Sequence, residues 1–332
     1  MAITLAEAKV GMADKVDQQV IDTFRRSSLL LDMLTFDNSI SPGTGGSTLA
    51  YGYIQLKTPS TAAVRALNTE YTAGEAKREE KTAKAVIMGG SFEVDRVLQN
   101  TSGAVDELAF QAQQKIKATA NYFHNLVING TSASSGTGYV VNTFDGLRKA
   151  LTGTSNDFTT DIDLSDSTKL DSNANAFVDQ LDQLTHMVDG GASLLLMNTA
   201  MLLKVRAAAR RAGYYDRKKD DFGRAVEYFG DIPIMDAGMY YNGTKSVDVV
   251  DTSTPSATAA GTSSIYAVNI ALDGFHGISP TGTGVINSYM PDLKAPGAVK
   301  KGEVELVAGV VLKNTLKAAA LNGIALKAKT SI

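Results

Sequence analysis

The sequence predicts an α+β fold made of an extended β-hairpin, one long helix and an alternating α/β region. Three observations predict it. A long polar stretch, TPSTAAVRALNTEYTAGEAKREEKTAK (58–84), lies between two strand-like runs. One apolar stripe at helical spacing runs through residues 103–129. From about 140 to 245, helical and strand periods alternate.

Composition narrows the class. With 332 residues, the length suggests roughly two domains. The hydrophobic share of 44% is enough for a real core, which excludes wholesale disorder. A formal net charge of -3 gives no global basic field of the kind that advertises a nucleic-acid binder. There is no cysteine, which removes disulfides, thiolate nucleophiles and cysteine metal sites together. The opening MAITLAEAKV has no basic leader followed by an apolar core, and no apolar run nears the ~20 residues that span a bilayer. The expectation is a soluble chain made in a reducing cytosol, with no membrane partner.

Near the N-terminus, Val16, Val20, Ile21 and Phe24 keep helical spacing ahead of the run LLLDML, and SPGTGGS (41–47) interrupts with turn residues. STLAYGYIQL follows in strand period, with Leu49, Tyr51 and Tyr53 alternating with smaller residues. Beyond the polar stretch, TAKAVIMGGSFEVDRVL again reads as strand, so the two runs form an extended hairpin. Two strands alone are marginal in water, so this hairpin needs outside support. In the helix, Val105, Leu108, Ala109, Ala112, Ile116, Phe123 and Val127 form the stripe. Ser102 suits the N-cap and Gly130 the stop, while Gln111, Gln113, Gln114, Lys115 and Lys117 make a solvated side. Its length is ~40 Å at ~1.5 Å per residue.

Phe177, Leu181, Leu184 and Val188 define a second helix that ends at Gly190-Gly191. SLLLMN then reads as a buried strand, with Asn198 or Thr199 capping the helix AMLLKVRAAARR. Strands follow at AVEYF, IPIMD, SVDVV and SIYAVNIA, and GEVELVAGVVLKNTLKAAALNGIAL reads as one long strand pair. TSASSGTG (131–138) and DTSTPSATAAGTSS (251–264) read as surface loops.

Chemistry is thin. His124, His186 and His276 lie in different elements, so packed or surface histidines outweigh a metal trio. The clusters GTGG (43–46), GTG (136–138) and GTG (282–284) lack a complete phosphate-loop pattern and read as flexible loops. DIDLSDSTKLD (161–171) lacks the glycine and final glutamate of an EF-hand, leaving a solvated loop with weak adventitious calcium binding as the lesser option. Arg206, Arg210, Arg211, Arg217, Lys218, Lys219 and Arg224, with Tyr214 and Tyr215, would suit phosphate contact and stacking. A helix end and a loop balanced by Asp216, Asp220 and Asp221, or a subunit contact, fits the acidic whole better. No catalytic, cofactor-binding or metal-binding residue is singled out, and no GxSxG elbow or SxxK pair is present.

The order of parts carries the signal. Over essentially the whole chain it resembles a tailed-bacteriophage major capsid protein with the Hong Kong 97-type fold. MAITLAEAKVGMADKVDQQVIDTFRRSSLLLDMLTFDNS resembles the family's N-terminal arm, and residues 48–98, with the tip NTEYTAGE, its extended loop. Residues 103–129 resemble the spine helix, and NTFDGLRKAL the turn after it. SLLLMNTAMLLKVRAA and FGDIPIMD resemble the axial domain, and SIYAVNIALDGFHGIS the late strand before the return to the peripheral domain. The resemblance implies an arm at 1–47, an extended loop at 48–98, a peripheral domain at 99–150 and 285–332, and an axial domain at 151–284.

It further implies a non-enzymatic shell protein that assembles with itself into hexamers and pentamers and encloses double-stranded DNA without sequence preference. A separate scaffolding protein, a portal and an optional decoration protein are the other implied partners, with synthesis in the host cytoplasm and residence in the virion. Because the arm resemblance starts at Met1, no cleaved scaffolding segment is expected. In the loop, Val64, Arg65, Leu67, Tyr71, Lys77 and Lys81 are the expected contacts to a neighbouring subunit. In the spine helix, Leu108, Ile116, Phe123 and Val127 are the expected core. No cross-linking motif matches Lys77, Lys81 or Lys84. An encapsulin-type shell around protein cargo, a tail-tube subunit and an α/β enzyme with an unrecognised site are the rival readings.

Overall fold

The computed structural model describes residues 29–38, 40, 49–58, 60–101, 107–213, 216–219, 225–280, 286–292 and 295–330. The arm positions Val16 to Phe24, the SPGTGGS run, Ser102, Val105, Tyr214, Tyr215 and the GTG at 282–284 lie outside these residues.

A short helix α1 (Leu29–Met33) leads into β1 (Phe36–Asp37). A ribbon of β2 (Ala50–Thr58) and β3 (Lys77–Lys84) follows, then β4 (Val86–Asp95) and α2 (Arg96–Thr101). The long helix α3 (Glu107–Asn129) comes next, about 35 Å of it, then α4 (Leu147–Leu151) and β5 (Asp157–Thr159). The alternating region holds α5 (Ser167–His186), β6 (Leu194–Met197), α6 (Thr199–Ala212), β7 (Asp216–Lys219), β8 (Ala225–Phe229) and β9 (Ile232–Asp236). Then come β10 (Met239–Tyr241), β11 (Ser246–Asp248), β12 (Gly261–Val268), β13 (Phe275–Ile278), β14 (Ile286–Tyr289), β15 (Val299–Leu312) and β16 (Ala318–Lys327).

Two sheets organise these parts. The first runs β1-β13-β15-β14, with β4 pairing along the other side of β15. The second has seven strands in the order β5-β16-β12-β6-β9-β8-β7. Side-chain alternation in β6 shows how the layers share a core. Leu194 and Leu196 pack in the cluster of Phe123, Val127 and Leu147, on the α3/α4 side. Leu195 and Met197 pack with Phe177, Leu181 and Val205, on the α5/α6 side. Both sheet faces are therefore covered. Asn198 caps as expected, its side chain accepting from Met201 N at 2.8 Å to start α6, while Asp166, expected in a solvated loop, accepts from Lys169 N at 2.8 Å to start α5.

Helix α3 stops where the backbone comes too close for a side chain. A Cβ on Gly130 would lie 2.5 Å from the Phe144 carbonyl oxygen. Phe123 and Val127 are fully buried, and the Phe123 ring lies 6.1 Å from Phe144 and 6.4 Å from Phe36. Leu108 and Ile116 are half-buried, packed against the satellite cluster of Phe92, Val94, Ala112 and Val304. Of the expected solvated side only Gln113 is exposed; Gln111, Gln114, Lys115 and Lys117 are half-buried. The Lys115 stem lies over Gly90, and Gln111 Nε2 donates to Glu107 Oε1 at 2.9 Å.

Four further expectations are corrected. The hairpin does not return through VIMGGSFEVD: KREEKTAK (77–84), placed within the polar loop by sequence, is the strand that pairs with β2. VIMGGSFEVD is β4, which pairs with β15 over Val299–Ala308. The long C-terminal segment is not one strand pair. β15 belongs to the first sheet, while β16 pairs with β12 and β5 in the second. Strand β13 sits beside β15 in the first sheet, and β16 joins the seven-stranded sheet. Residues 216–219, expected in a loop, form an edge strand against β8, and 261–264, expected in a surface loop, open β12.

Candidate assembly interface

The ribbon β2–β3 has two chemically different faces. Tyr51, Tyr53 and Gln55 pair with Ala83, Lys81 and Glu79 on one face. Gly52, Ile54 and Leu56 pair with Thr82, Glu80 and Arg78 on the other. The first face is anchored at its base. Tyr51 is buried with Ile40, Ala85, Ile278 and Val311, its hydroxyl donates to Asp37 Oδ2 at 3.1 Å, and Lys313 Nζ lies 5.1 Å from its ring centroid. Gln55 Nε2 donates to the Lys313 carbonyl at 3.0 Å. The second face is exposed among the described residues: Ile54 is 66% exposed and Leu56 59%.

The expected contact residues continue this exposure. Val64 is 100% exposed and Leu67 89%, and Tyr71, Arg65, Lys77 and Lys81 are exposed as well. The structure thus brings Val64, Arg65, Leu67 and Tyr71 together at the tip and sets Lys77 and Lys81 on the return strand. Ile54 and Leu56 escaped the sequence reading. Their signal was present as an apolar residue at every second position of YIQL, which reads equally well as a buried strand face.

The other singled-out residues are accounted for by packing. His124 is buried, its Nε2 has no hydrogen-bond partner, and burial lowers its pKa to about 4. His276 is buried beside the Tyr51 ring, 5.8 Å between centroids, and burial, then the Lys313 charge, lowers its pKa. His186 is exposed, with Nδ1 2.9 Å from the Asp182 carbonyl oxygen. In the 161–171 stretch, Asp163 binds Lys169 at 2.7 Å and Asp166 caps α5. In the cationic cluster, Arg206 pairs with Glu227 and Arg211 with Asp171. Among the described residues no group of three or more His, Cys, Asp or Glu is placed to hold a metal ion. No helix among them is long and apolar enough to cross a membrane.

Solved structures share the fold of this chain. A solved structure of Mycobacterium phage Bobi is similar at TM-score 0.58 and 14% identity, covering 99% of this chain and 100% of that one. The capsid of Myoviridae phage XM1 is similar at TM-score 0.57 and 13% identity, covering 97% and 99%. The holo-SrpI encapsulin complex from Synechococcus elongatus PCC 7942 is similar at TM-score 0.63 and 13% identity, covering 100% and 99%. At such identities the likeness is one of fold, and the fold is the Hong Kong 97-type capsid fold. No curated protein matches the chain.

A family model supplies what the fold alone does not. Residues 9–257 match the SU10 major capsid protein, and the chain belongs to that family. It is a major capsid protein of a tailed bacteriophage, a structural component of the virion shell in a family that is not enzymatic.

Proposed function

We propose that copies of this chain close into an icosahedral shell of hexamers and pentamers around double-stranded DNA, with each β2–β3 ribbon and its tip lying on a neighbouring subunit. One observation carries the reading: the outer ribbon face and the tip leave Ile54, Leu56, Val64 and Leu67 uncovered within their own chain. Apolar side chains set on a projecting ribbon are stabilised only when another surface covers them. Arg65, Tyr71, Lys77 and Lys81 complete the proposed contact. A net charge of -3 suits DNA held as unspecific content by confinement. A separate scaffolding protein and a portal are the proposed assembly partners, with synthesis in the host cytoplasm and a decoration protein as an optional outer layer.

Electron microscopy of the purified product tests the shell, and limited trypsin digestion tests the contact. Cleavage after Arg65 is expected early in unassembled subunits and late in particles. Equal rates in both states overturn the neighbour contact. The fold likeness to an encapsulin favours a second reading, a shell around protein cargo. Nuclease-resistant DNA in particles made during infection supports the first reading; a defined protein cargo without DNA supports the second.

A further inference from the structure

The ribbon is seated on the body chiefly by one ring. Tyr51 is buried in a small cluster with Ile278 of β13 and Val311 of β15. Its hydroxyl donates to Asp37, the Lys313 ammonium lies near its ring, and the His276 ring meets it at an interplanar angle of 73°. Around that ring the seat is thin. Tyr53, Ala83 and Val307 pack half-buried at its margin, and Gln55 reaches the Lys313 carbonyl.

His276 is the odd member of this seat. It is 0% exposed, yet neither ring nitrogen completes a hydrogen bond, a costly state that is uncommon in native interiors. The titratable groups that face it among the described residues are Tyr51 on β2, Lys313 just after β15, Asp37 on β1 and Asp273 in the turn before β13. Asp273 is engaged by Lys317 at 2.6 Å, and Asp37 by the Tyr51 hydroxyl at 3.1 Å. Burial first and the Lys313 charge second hold the His276 pKa below its ordinary value, while the Gly274 backbone, Asp37 and Asp273 pull more weakly the other way. A proton on His276 therefore sets a second cation beside Lys313 in a pocket closed to water.

That cation cannot reach solvent by moving its own strand, because β13 is paired with β15 on one side and β1 on the other. Tyr51 covers it from a ribbon whose strands pair only with each other among the described residues. Lifting the ribbon base is the smaller opening. We propose that His276 is a proton-operated latch: neutral, it closes the seat under Tyr51, and protonated, it releases the ribbon base while both sheets stay folded. The ribbon carries Ile54 and Leu56, so the latch sets where that exposed face points. It belongs to the single subunit and does not depend on the proposed neighbour contact. Seating is strongest above about pH 6.5, where a free histidine is neutral, and is lost as the pH falls from there toward the lowered value.

The chain has no cysteine, so a single Val311→Cys thiol can report on the seat. Val311 pairs with His276 across β13 and β15 and is 2% exposed. In unassembled subunits its labelling by a pyridyl disulfide, taken relative to a free thiol at the same pH, should quicken by up to about tenfold per pH unit below about 6.5. Far-UV circular dichroism should stay constant over the same range. Adding His276→Leu, or His276→Phe should that chain not fold, should make the relative rate independent of pH. Adding His124→Leu should leave the acceleration in place. A relative rate that ignores pH in the Val311→Cys chain, or an acceleration that survives the loss of His276, overturns the proposal. An acceleration that disappears with His124, or that comes with lost circular dichroism, overturns it as well, because the opening is then unfolding of the whole subunit.

Discussion

Replacing Ile54 and Leu56 together by serine separates folding from assembly. Both side chains stand on the outer ribbon face, 66% and 59% exposed, so the isolated subunit loses little. Exposed substitutions of this kind shift stability by within ~0.5 kcal/mol each. Fully covering an aliphatic side chain is worth about 1.5–3 kcal/mol. Scaled by the exposed fractions, covering this pair on a neighbour is worth about 2–4 kcal/mol per contact. That converts to about 30- to 1,000-fold in each contact's equilibrium constant. In the proposed shell the contact repeats around every ring, so the loss compounds.

The assay has two arms: thermal melting of the unassembled subunit, and particle yield by size-exclusion chromatography with electron microscopy. The expected result is an unchanged melting temperature and no particles. Wild-type particle yield would refute the argument that this face is covered in the shell. A melting temperature lowered as by a core mutation would show that the face is packed within its own subunit.

Two predictions probe the interior. Phe123→Ala removes a fully buried ring between Phe36 and Phe144, and should cost the subunit about 3–5 kcal/mol in denaturant titrations, against less than ~0.5 kcal/mol for Gln113→Ala on the exposed side of α3. His124 stays neutral in the folded chain down to about pH 4, because burial withholds water from its cation. An unfolded histidine takes up a proton below about pH 6.5, so between these values the unfolded state binds more protons. Stability present above pH 6.5 is therefore lost as the pH falls toward 4, by about 3 kcal/mol in all. A His124→Leu variant should show a shallower fall of melting temperature over that window, keeping the part owed to His276, which is shifted the same way. An unchanged slope would show that His124 is hydrated.

Sequence alone determined the elements whose stabilisation is a periodic apolar stripe. The stripe of Ala112, Phe123 and Val127 marks α3, the spacing of Phe177, Leu181 and Leu184 marks α5, and Asn198 marks the start of α6, because burial and capping are written at short range. The polar tip was legible too, since Val64, Leu67 and Tyr71 are too few to pack a loop of that length. Tertiary structure decided what depends on a distant partner. KREEKTAK carries no apolar alternation, and it is a strand because its backbone closes a ladder with β2. Ile54 and Leu56 look like a buried face in sequence, yet the ribbon leaves the body and strands them in solvent. The same limit separates β15 from β16: both are apolar and strand-like, but their sheets are chosen by pairing with β4 and β12, tens to hundreds of residues away. No local pattern encodes the identity of a hydrogen-bonding partner, because every strand offers the same backbone donors and acceptors.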